Sequence, residues 1–261
     1  METKRIAVKI GSNVLTRADG TLDVTRMSAI TDQVAELHKR GMQVILISSG
    51  AVASGRSEIA PSHLLDEVSS RQLYSAIGQA KLMGKYYTLF REHGIICGQV
   101  LTTKEGLDKT DHYLNQQRCM EVMLGEQVIP IVNENDTLSI TELMFTDNDE
   151  LSGLMAEMMR VDLLVILSNI DGIYNGNPSD SASTVIRRVT AATDCMEQYI
   201  QSEKSSLGRG GMLTKCRIAR QVASQGIHVI VANGKSEDIL LRLIDCPEET
   251  VCTRFEPAIK K

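Results

Sequence analysis

The chain is 261 residues long, carries a formal net charge of −5, and is 43% hydrophobic and 23% charged. These values are typical of a folded protein with a large buried core, and they disfavour disordered, collagen-like and coiled-coil proteins. An acidic balance with only 3% aromatic residues also disfavours a protein that binds nucleic acid through a basic surface or stacked bases. We therefore expect no nucleic-acid partner.

Cysteine usage and hydropathy indicate where such a protein works. The six cysteines and five histidines are scattered, without the spacing of a zinc site or a disulfide frame. The longest apolar run, Leu163 to Leu167, is too short to cross a bilayer, and no signal-peptide stretch precedes the first predicted strand. The sequence predicts a cytoplasmic protein with no membrane partner and no dedicated metal ligands.

Short β-branched runs alternate with longer helical patterns along the whole chain. The predicted strands are Ile6–Ile10, Gln43–Ser48, Ile95–Leu101, Val128–Asn133, Leu163–Ser168 and His228–Ala232. The predicted helices are Thr25–Arg40, Leu65–His93, Tyr113–Gly125, Asn148–Arg160, Gly211–Gln225 and Ser236–Ile244. Gly41, Gly94 and Gly226 follow three of these helices, where left-handed C-caps are expected. The alternation predicts an α/β fold: a three-layer αβα sandwich with a mostly parallel central sheet, formed by a single domain over residues 1–261.

Two segments interrupt this alternation. Thr137–Thr146 is short and strand-like, which is more typical of a hairpin than of a crossover. Asn175–Arg188 has the same character and opens with the turn sequence Asn175-Gly176-Asn177-Pro178. Both segments are therefore predicted to lie outside the regular strand–helix units.

Small, polar or glycine-rich segments follow five of the predicted strands. They are the segments at Lys9–Asn13, Ser48–Gly55, Gln99–Thr103, Asn133–Asp136 and Ser168–Gly172. Ligands of an open parallel sheet bind outside the carboxyl ends of its strands. Five such segments therefore predict a ligand site at one edge of the sheet.

Glycines in these segments fit the binding of a phosphate. Gly11, Gly50 and Gly55 would let backbone N–H groups approach an anion at a helix start, although for any single one of them a tight turn is the preferred explanation. The loop from Gly208 to Met212 is more specific, because the helix that follows carries Lys215 one turn in. The sequence contains no GxxxxGK[ST], no GxGxxG after a strand and no protein-kinase motif set. A phosphate enzyme of another design is indicated.

Lys9 and a group of acidic residues complete the candidate site. A lysine near the end of an apolar strand is costly unless it snorkels to solvent or faces a charged ligand, and we favour a phosphate contact. The acidic residues are Glu134, Asp136, Asp147, Asp149 and Glu150. Asp147 and Glu150 are equally explained by the first turn of a helix. The two Asn/Asp-rich segments, joined by the predicted hairpin, could hold the ammonium group of a small zwitterion.

In this order and spacing the motifs resemble the amino acid kinase family and, within it, the glutamate 5-kinases. The resemblance runs from Lys9 to about Ile244 and rests on Lys9-Ile10-Gly11-Ser12, Ser49-Gly50-Ala51, Gln99-Val100-Leu101, Tyr113-Leu114-Asn115, Asn133-Glu134-Asn135-Asp136, Asp147-Asn148-Asp149 with Leu151-Ser152, and Gly210-Gly211-Met212 with Thr214-Lys215. It implies the amino acid kinase fold and ATP-dependent phosphorylation of the γ-carboxylate of L-glutamate to L-glutamyl 5-phosphate, the first step of proline biosynthesis. Because the sequence ends at Lys261, we expect a short form without a C-terminal PUA domain.

The resemblance also implies a role for particular residues. Lys9 and Lys215 would stabilise the transferring phosphoryl group, and Asp149 would orient both lysines. The residues implied to bind glutamate are Ser49, Asp136 and Asn148. Those implied to bind ATP are Gly11, Ser12, Ser168, Asn169, Arg209, Gly210, Gly211, Met212, Leu213, Thr214 and Lys215. Mg²⁺ would bind mainly through phosphate and water oxygens. A homo-oligomer, dimer or tetramer, and transfer of the product to glutamyl phosphate reductase are also expected.

Three positions depart from the family pattern, and two other functions stay open. Asn169 stands where an Asp is usual, Arg209 replaces a Thr, and Asn177-Pro178-Ser179 replaces an Asp-Pro-basic triplet. All three lie on the nucleotide side. One alternative is another acceptor, namely acetylglutamate, aspartate, carbamate or a nucleoside monophosphate. The second is a non-catalytic nucleotide-binding protein of the same fold.

Overall fold

The computed structural model describes residues 3–108, 110–138, 148–190 and 211–258. Within these ranges the strands are β1 (Arg5–Ile10), β2 (Gln43–Ser48), β3 (Cys97–Thr102), β4 (Ile129–Glu134), β5 (Leu163–Ser168), β6 (Arg188–Val189), β7 (His228–Asn233) and β8 (Thr253–Phe255). They form one sheet in the order β3-β4-β2-β1-β5-β7-β8-β6. All neighbouring strands are parallel except β7 and β8, which are antiparallel. The carboxyl ends of β1 to β5 and β7 therefore meet at one edge of the sheet.

The helices of the described ranges are α1 (Ser12–Leu15), α2 (Val24–Lys39), α3 (Ala51–Arg56), α4 (Glu67–Glu92), α5 (Lys104–Asp108), α6 (Thr110–Gly125), α7 (Asn148–Met158), α8 (Met212–Ser224) and α9 (Ile239–Asp245). The side chains of Asp23 and Asp66 cap α2 and α4 by accepting backbone N–H bonds from Arg26 and Ser69. Three glycines follow α2, α4 and α8 with φ angles of +87°, +72° and +90°, at Gly41, Gly94 and Gly226. The predicted left-handed C-caps are confirmed.

Apolar side chains bury both faces of the sheet. On one face, Val8 and Ile10 belong to a core formed with α2, α4 and α9. On the other face, Ala7 belongs to a core formed with α6, α7 and α8. Since side chains alternate along a strand, Lys9 shares the face of Ala7 and points toward α7 and α8. The predicted three-layer αβα fold is confirmed.

The predicted elements agree with the structure wherever periodicity was strong. All six predicted strands are present, with ends shifted by two residues at most. The sequence analysis missed β6, β8, α1, α3 and α5, which are two to six residues long and too short to show a period. Most of the predicted Thr137–Thr146 hairpin lies outside the described residues. In the other interruption, Tyr174 and Val185 form an isolated antiparallel bridge, as a hairpin-like segment would.

In the part of the chain that the structure describes, every helix is too short or too polar to traverse a lipid bilayer.

Candidate active site

A buried cluster of three charged residues stands at the carboxyl edge of the sheet. Lys9 Nζ lies 2.5 Å from Asp149 Oδ1, and Lys215 Nζ donates to Asp149 Oδ2 at 2.9 Å. The Asp149 side chain is inaccessible to solvent, and the two lysine side chains are 5% and 11% exposed. The structure therefore brings together the three residues that the resemblance implied as catalytic.

Three separate elements build this cluster. Lys9 is the penultimate residue of β1, Asp149 lies in the first turn of α7, and Lys215 lies in the first turn of α8. The positive end of the α7 dipole also favours a carboxylate at Asp149. Two ammonium groups share one carboxylate, so the cluster keeps a net positive charge that suits an anionic ligand.

The ionisation of Asp149 reflects two opposing effects. Burial disfavours its charged form, but the ammonium groups of Lys9 and Lys215 outweigh that effect and hold its pKa below its usual range. Asp149 is therefore a carboxylate at neutral pH and can orient both lysines at once.

Gly11 contributes space next to this cluster. A Cβ on Gly11 would lie 3.0 Å from Leu167 O and 3.6 Å from Lys9 Nζ. Its N–H already donates to Leu167 O at 3.1 Å. This donor is therefore shared with the sheet edge, and phosphate binding at Gly11 stays a prediction. Ser12, which is exposed at the start of α1, keeps its predicted place beside it.

A network of side-chain amides lies beyond Asp149, at the ends of β2 and β4. Asn148 Nδ2 donates to Ser49 Oγ at 3.0 Å, Ser48 O at 3.3 Å and Asn133 Oδ1 at 3.0 Å. Asn133 Nδ2 in turn donates to Gln79 Oε1 at 3.0 Å. Two of the three predicted glutamate-binding residues, Ser49 and Asn148, are thus in direct contact.

Close packing of α3 against α4 places Ser49. Gly50, with φ of +107°, turns the chain from β2 into α3 in a conformation that favours glycine. A Cβ on Gly78 of α4 would lie only 1.8 Å from Ala51 O of α3. The two helix backbones therefore touch, and α4 forms one wall of the site.

Arg71 of α4 neutralises the third predicted glutamate-binding residue. Arg71 Nε donates to Asp136 Oδ1 at 2.7 Å, and its Nη2 donates to Glu134 Oε2 at 3.1 Å. The side chains of both acidic residues are nearly buried. The sequence analysis missed Arg71 and Gln79. A spacing of four residues across Arg71, Ser75 and Gln79, which lines up polar groups on one helix face, is the signal that could have found them.

The other half of the sheet edge carries the residues predicted for the nucleotide. Ser168 ends β5 opposite Asn233 of β7, and Gly234 N donates to Ser168 O at 2.8 Å. Asn233 Nδ2 donates to Asp171 Oδ1 at 2.9 Å, a pair that the sequence analysis did not assign to the site. Gly211, Met212, Leu213 and Thr214 form the start of α8, directly before Lys215. Arg209 and Gly210 lie outside the described residues.

Comparison with known proteins agrees with this arrangement. The sequence profile of the amino acid kinase family matches residues 4–233. A glutamate 5-kinase from Bacteroides thetaiotaomicron is 67% identical over 98% of this chain and 71% of its own length. This chain belongs to the amino acid kinase family. A second glutamate 5-kinase, from Chlorobaculum tepidum, is 46% identical over 91% of the chain and 65% of its own length. The resemblance to glutamate 5-kinases is confirmed, with the chain spanning about two thirds of these relatives.

Solved structures of the amino acid kinase fold also match. The crystal structure of UMP kinase from Ureaplasma parvum superposes with a TM-score of 0.65 over 98% of this chain and 100% of that chain. The sequence identity is 13%, so this similarity concerns the fold alone.

Two of the three departures from the family pattern can be placed in this structure. Asn169 is exposed, and its Oδ1 accepts a long hydrogen bond from Ser168 Oγ at 3.5 Å. Asn177 Oδ1 accepts from Ser179 N at 2.9 Å, which holds the Asn177-Pro178-Ser179 turn locally. In both contacts the Asn side chain accepts through Oδ1, which an Asp at either position would also do.

The described residues do not fit a dedicated magnesium cage. Among them, no three His, Cys, Asp or Glu side chains come close enough to hold a metal ion. Asp149 is already paired with two ammonium groups.

Proposed function

We propose that this chain transfers the γ-phosphoryl group of ATP to the γ-carboxylate of L-glutamate, giving L-glutamyl 5-phosphate and ADP, the first step of proline biosynthesis. The observation that carries the proposal is the buried Lys9–Asp149–Lys215 cluster, which adjoins the amide network of Ser49, Asn133 and Asn148. The identity of 67% to a glutamate 5-kinase supports the same assignment.

The chemistry needs alignment and charge neutralisation more than a base. A carboxylate is already an anionic nucleophile, so its oxygen can form the new O–P bond while the bond from Pγ to the ADP oxygen breaks. Lys9 and Lys215 would neutralise charge on the transferring group from two sides. Their burial strengthens this effect, because electrostatic interactions are weakly screened in a water-poor site.

The acceptor half of the site suits a free amino acid. Asp136 and Asn148 Oδ1 would accept hydrogen bonds from the α-ammonium group of glutamate, and Ser49 would contact a carboxylate. Arg71 holds Asp136 in place, and because the same guanidinium also pairs with Glu134, the two carboxylates keep a net negative charge that suits an ammonium group. An N-acetylated substrate lacks the ammonium group, and the pairing of Asp136 with such a group is what would favour glutamate.

ATP would lie on the other half of the edge, against Ser12, Ser168, Asn169 and the start of α8, with Mg²⁺ held by its phosphate and water oxygens. The proposal also includes a cytoplasmic location, one kinase domain formed by residues 1–261, a homo-oligomeric assembly and delivery of the unstable acyl phosphate to glutamyl phosphate reductase. An acyl phosphate hydrolyses readily, which favours its rapid use by the next enzyme.

An acceptor panel tests the proposed reaction. The purified chain is incubated with ATP and Mg²⁺ and with L-glutamate, N-acetyl-L-glutamate, L-aspartate or UMP, and ADP release is measured. Hydroxylamine traps any acyl phosphate as a hydroxamate. We expect ADP and hydroxamate in equal amounts with L-glutamate and little turnover with the other three acceptors.

Two results would contradict the proposal. Turnover with another acceptor and none with L-glutamate would support kinase activity but contradict the assignment of L-glutamate as the acceptor. ATP binding without ADP release for any acceptor would instead indicate a non-catalytic nucleotide-binding protein.

A further inference from the structure

Gln79 lies on the buried face of α4, away from every motif found in the sequence. The residue is 9% exposed, and its side chain reaches across to the end of β4, where Oε1 accepts from Asn133 Nδ2 at 3.0 Å. A glutamine in an apolar helix–sheet interface is costly unless its amide is hydrogen-bonded. The buried amide of Gln79 therefore contacts a residue of the candidate site.

The hydrogen bonds around Gln79 have a defined direction. Ser48 O is a backbone carbonyl and can only accept, so the atom of Asn148 that faces it must be Nδ2. The atom of Asn133 that faces Asn148 Nδ2 must then be Oδ1, which turns Asn133 Nδ2 toward Gln79. Gln79 completes this order by offering Oε1, an acceptor, to Asn133.

This order of hydrogen bonds determines which atom of Asn148 faces a ligand. Because Asn148 Nδ2 is committed to protein acceptors, the Asn148 oxygen is the atom presented to a ligand. Without the acceptor of Gln79, Asn133 Nδ2 would be left buried without its partner, and the Asn133 amide would be held only by Asn148. Asn133 would then support Asn148 and Ser49 less firmly.

A second observation concerns the nitrogen of the same Gln79 amide. Gln79 Nε2 is fully buried and has no hydrogen-bond acceptor among the described residues. Buried donors in native proteins are nearly always satisfied by protein, water or ligand. Gln79 therefore keeps one buried amide donor for a water or ligand atom, in addition to its bond to Asn133.

We propose that Gln79 is a positioning residue of the acceptor site. Through Asn133 it holds Asn148 and Ser49 in the orientation that Ser48 O defines, so that the oxygen of Asn148 stays directed at the acceptor's ammonium group. The proposal rests on the proposed function for the identity of the acceptor, and it concerns acceptor binding rather than phosphoryl transfer.

The test compares Gln79→Met, of similar size but without the amide, with a matched control. Gln33 of α2 is also buried, and its amide bonds Ala29 O and Leu240 N outside the site, so Gln33→Met removes an equally buried amide. We expect Gln79→Met to raise KM for L-glutamate by about tenfold, which corresponds to about 1.4 kcal/mol of binding free energy. Its kcat and its KM for ATP should stay close to the wild-type values. Gln33→Met should lower thermal stability without changing KM for L-glutamate.

A double-mutant cycle separates positioning from a merely structural role. If Gln79 acts through Asn133, its replacement should raise KM for L-glutamate much less in an Asn133→Ala background than in the wild-type chain. Gln79→Ala serves in the same cycle if the methionine variant does not fold. Equal effects in both backgrounds, or an unchanged KM in Gln79→Met, would overturn the proposal.

The wild-type acceptor panel keeps the two proposals apart. If the wild-type chain phosphorylates L-glutamate and Gln79→Met has an unchanged KM, only the role of Gln79 fails. If the wild-type chain prefers another acceptor, the proposed function fails, and the same comparison of KM values is made on that acceptor.

Discussion

At the scale of single residues, Asp149 shows how a buried charge becomes part of a site. A carboxylate with no solvent contact would be strongly destabilising alone, yet Lys9 and Lys215 each place an ammonium group against one of its oxygens. Each charge is tolerated because of the others. Removing Asp149 would therefore leave two buried ammonium groups without their counter-charge, and the consequences extend from catalysis to stability.

Asp149→Asn should expose this dependence through pH. At neutral pH we expect a loss of about 3–5 kcal/mol in the free energy of unfolding, because two buried ammonium groups lose their counter-charge. The pKa of Asp149 is lowered in the folded state, so its contribution is present above the unfolded pKa of about 4 and is lost as the pH falls toward the folded pKa. The stability gap between wild type and variant should narrow below about pH 4. Urea unfolding of both proteins at a series of pH values measures this difference in the free energy of unfolding.

Glu150→Gln is the control for this prediction. Glu150 is the next residue of α7 and pairs with Lys104 near the surface, 2.9 Å away. A partly exposed pair contributes about 0–1 kcal/mol, so this variant should unfold much like the wild type. A stability gap for Asp149→Asn that stays constant with falling pH would contradict the lowered pKa.

Some residues of the site could be predicted from the sequence, and others could not. Lys9 was predictable because an ammonium group near the end of an apolar strand is unusual in itself. Arg71 and Gln79 were not predicted, since a polar residue in a long amphipathic helix is ordinarily exposed. Only the packing of α4 next to the end of β4 directs the side chains of Arg71 and Gln79 toward the site.

At the scale of elements, the crossing of α3 and α4 decides the shape of the acceptor site. Gly55 and Gly78 allow the two backbones to touch, since a Cβ on either would fall within 2 Å of a carbonyl oxygen of the other helix. α3 starts two residues after Ser49, and α4 carries Gln79 and Arg71. The separation of these helices therefore sets the distance between the two walls of the site.

Gly78→Ala tests this role of the crossing. The added methyl group must push α3 away from α4, and overpacking of this kind costs about 1–3 kcal/mol or more. We expect a lower unfolding midpoint together with a higher KM for L-glutamate, measured by urea unfolding and by steady-state kinetics.

Gly84→Ala on the same helix is the matched control. No atom lies within 4 Å of a Cβ built at Gly84, so alanine should improve helix propensity and stabilise the protein by about 0.5–1 kcal/mol. If both glycine variants behaved alike, the close approach of α3 and α4 would not be the cause.

At the scale of the whole molecule, the parallel sheet divides the site into two halves. The ends of β2 and β4, with the start of α7, carry the residues proposed for the acceptor. The ends of β5 and β7, with the start of α8, carry those proposed for ATP. β1 lies between the halves in the sheet order, and Lys9 of β1 meets Asp149 and Lys215 where they join.

This division predicts a specific phenotype for Lys215→Ala. Lys215 comes from α8, on the nucleotide half, so its loss should lower kcat by about a hundredfold or more while leaving acceptor binding intact. A bound ligand stabilises the folded state by mass action, so L-glutamate should raise Tm equally in the variant and the wild type. Loss of the glutamate-induced shift in Tm would instead make Lys215 a structural support of the acceptor site.

The sequence by itself determined the αβα fold, the order of the strands along the chain and the lysine and Asn/Asp motifs of the site. It could do so because periodicity and strand-end chemistry are local properties of the chain. The tertiary structure decided that Asp149 lies between both lysines, that the Gly11 N–H is used within the sheet edge, and that α4 supplies Arg71 and Gln79. These features depend on which residues meet across long separations in the chain, and that is settled by how helices pack on the sheet.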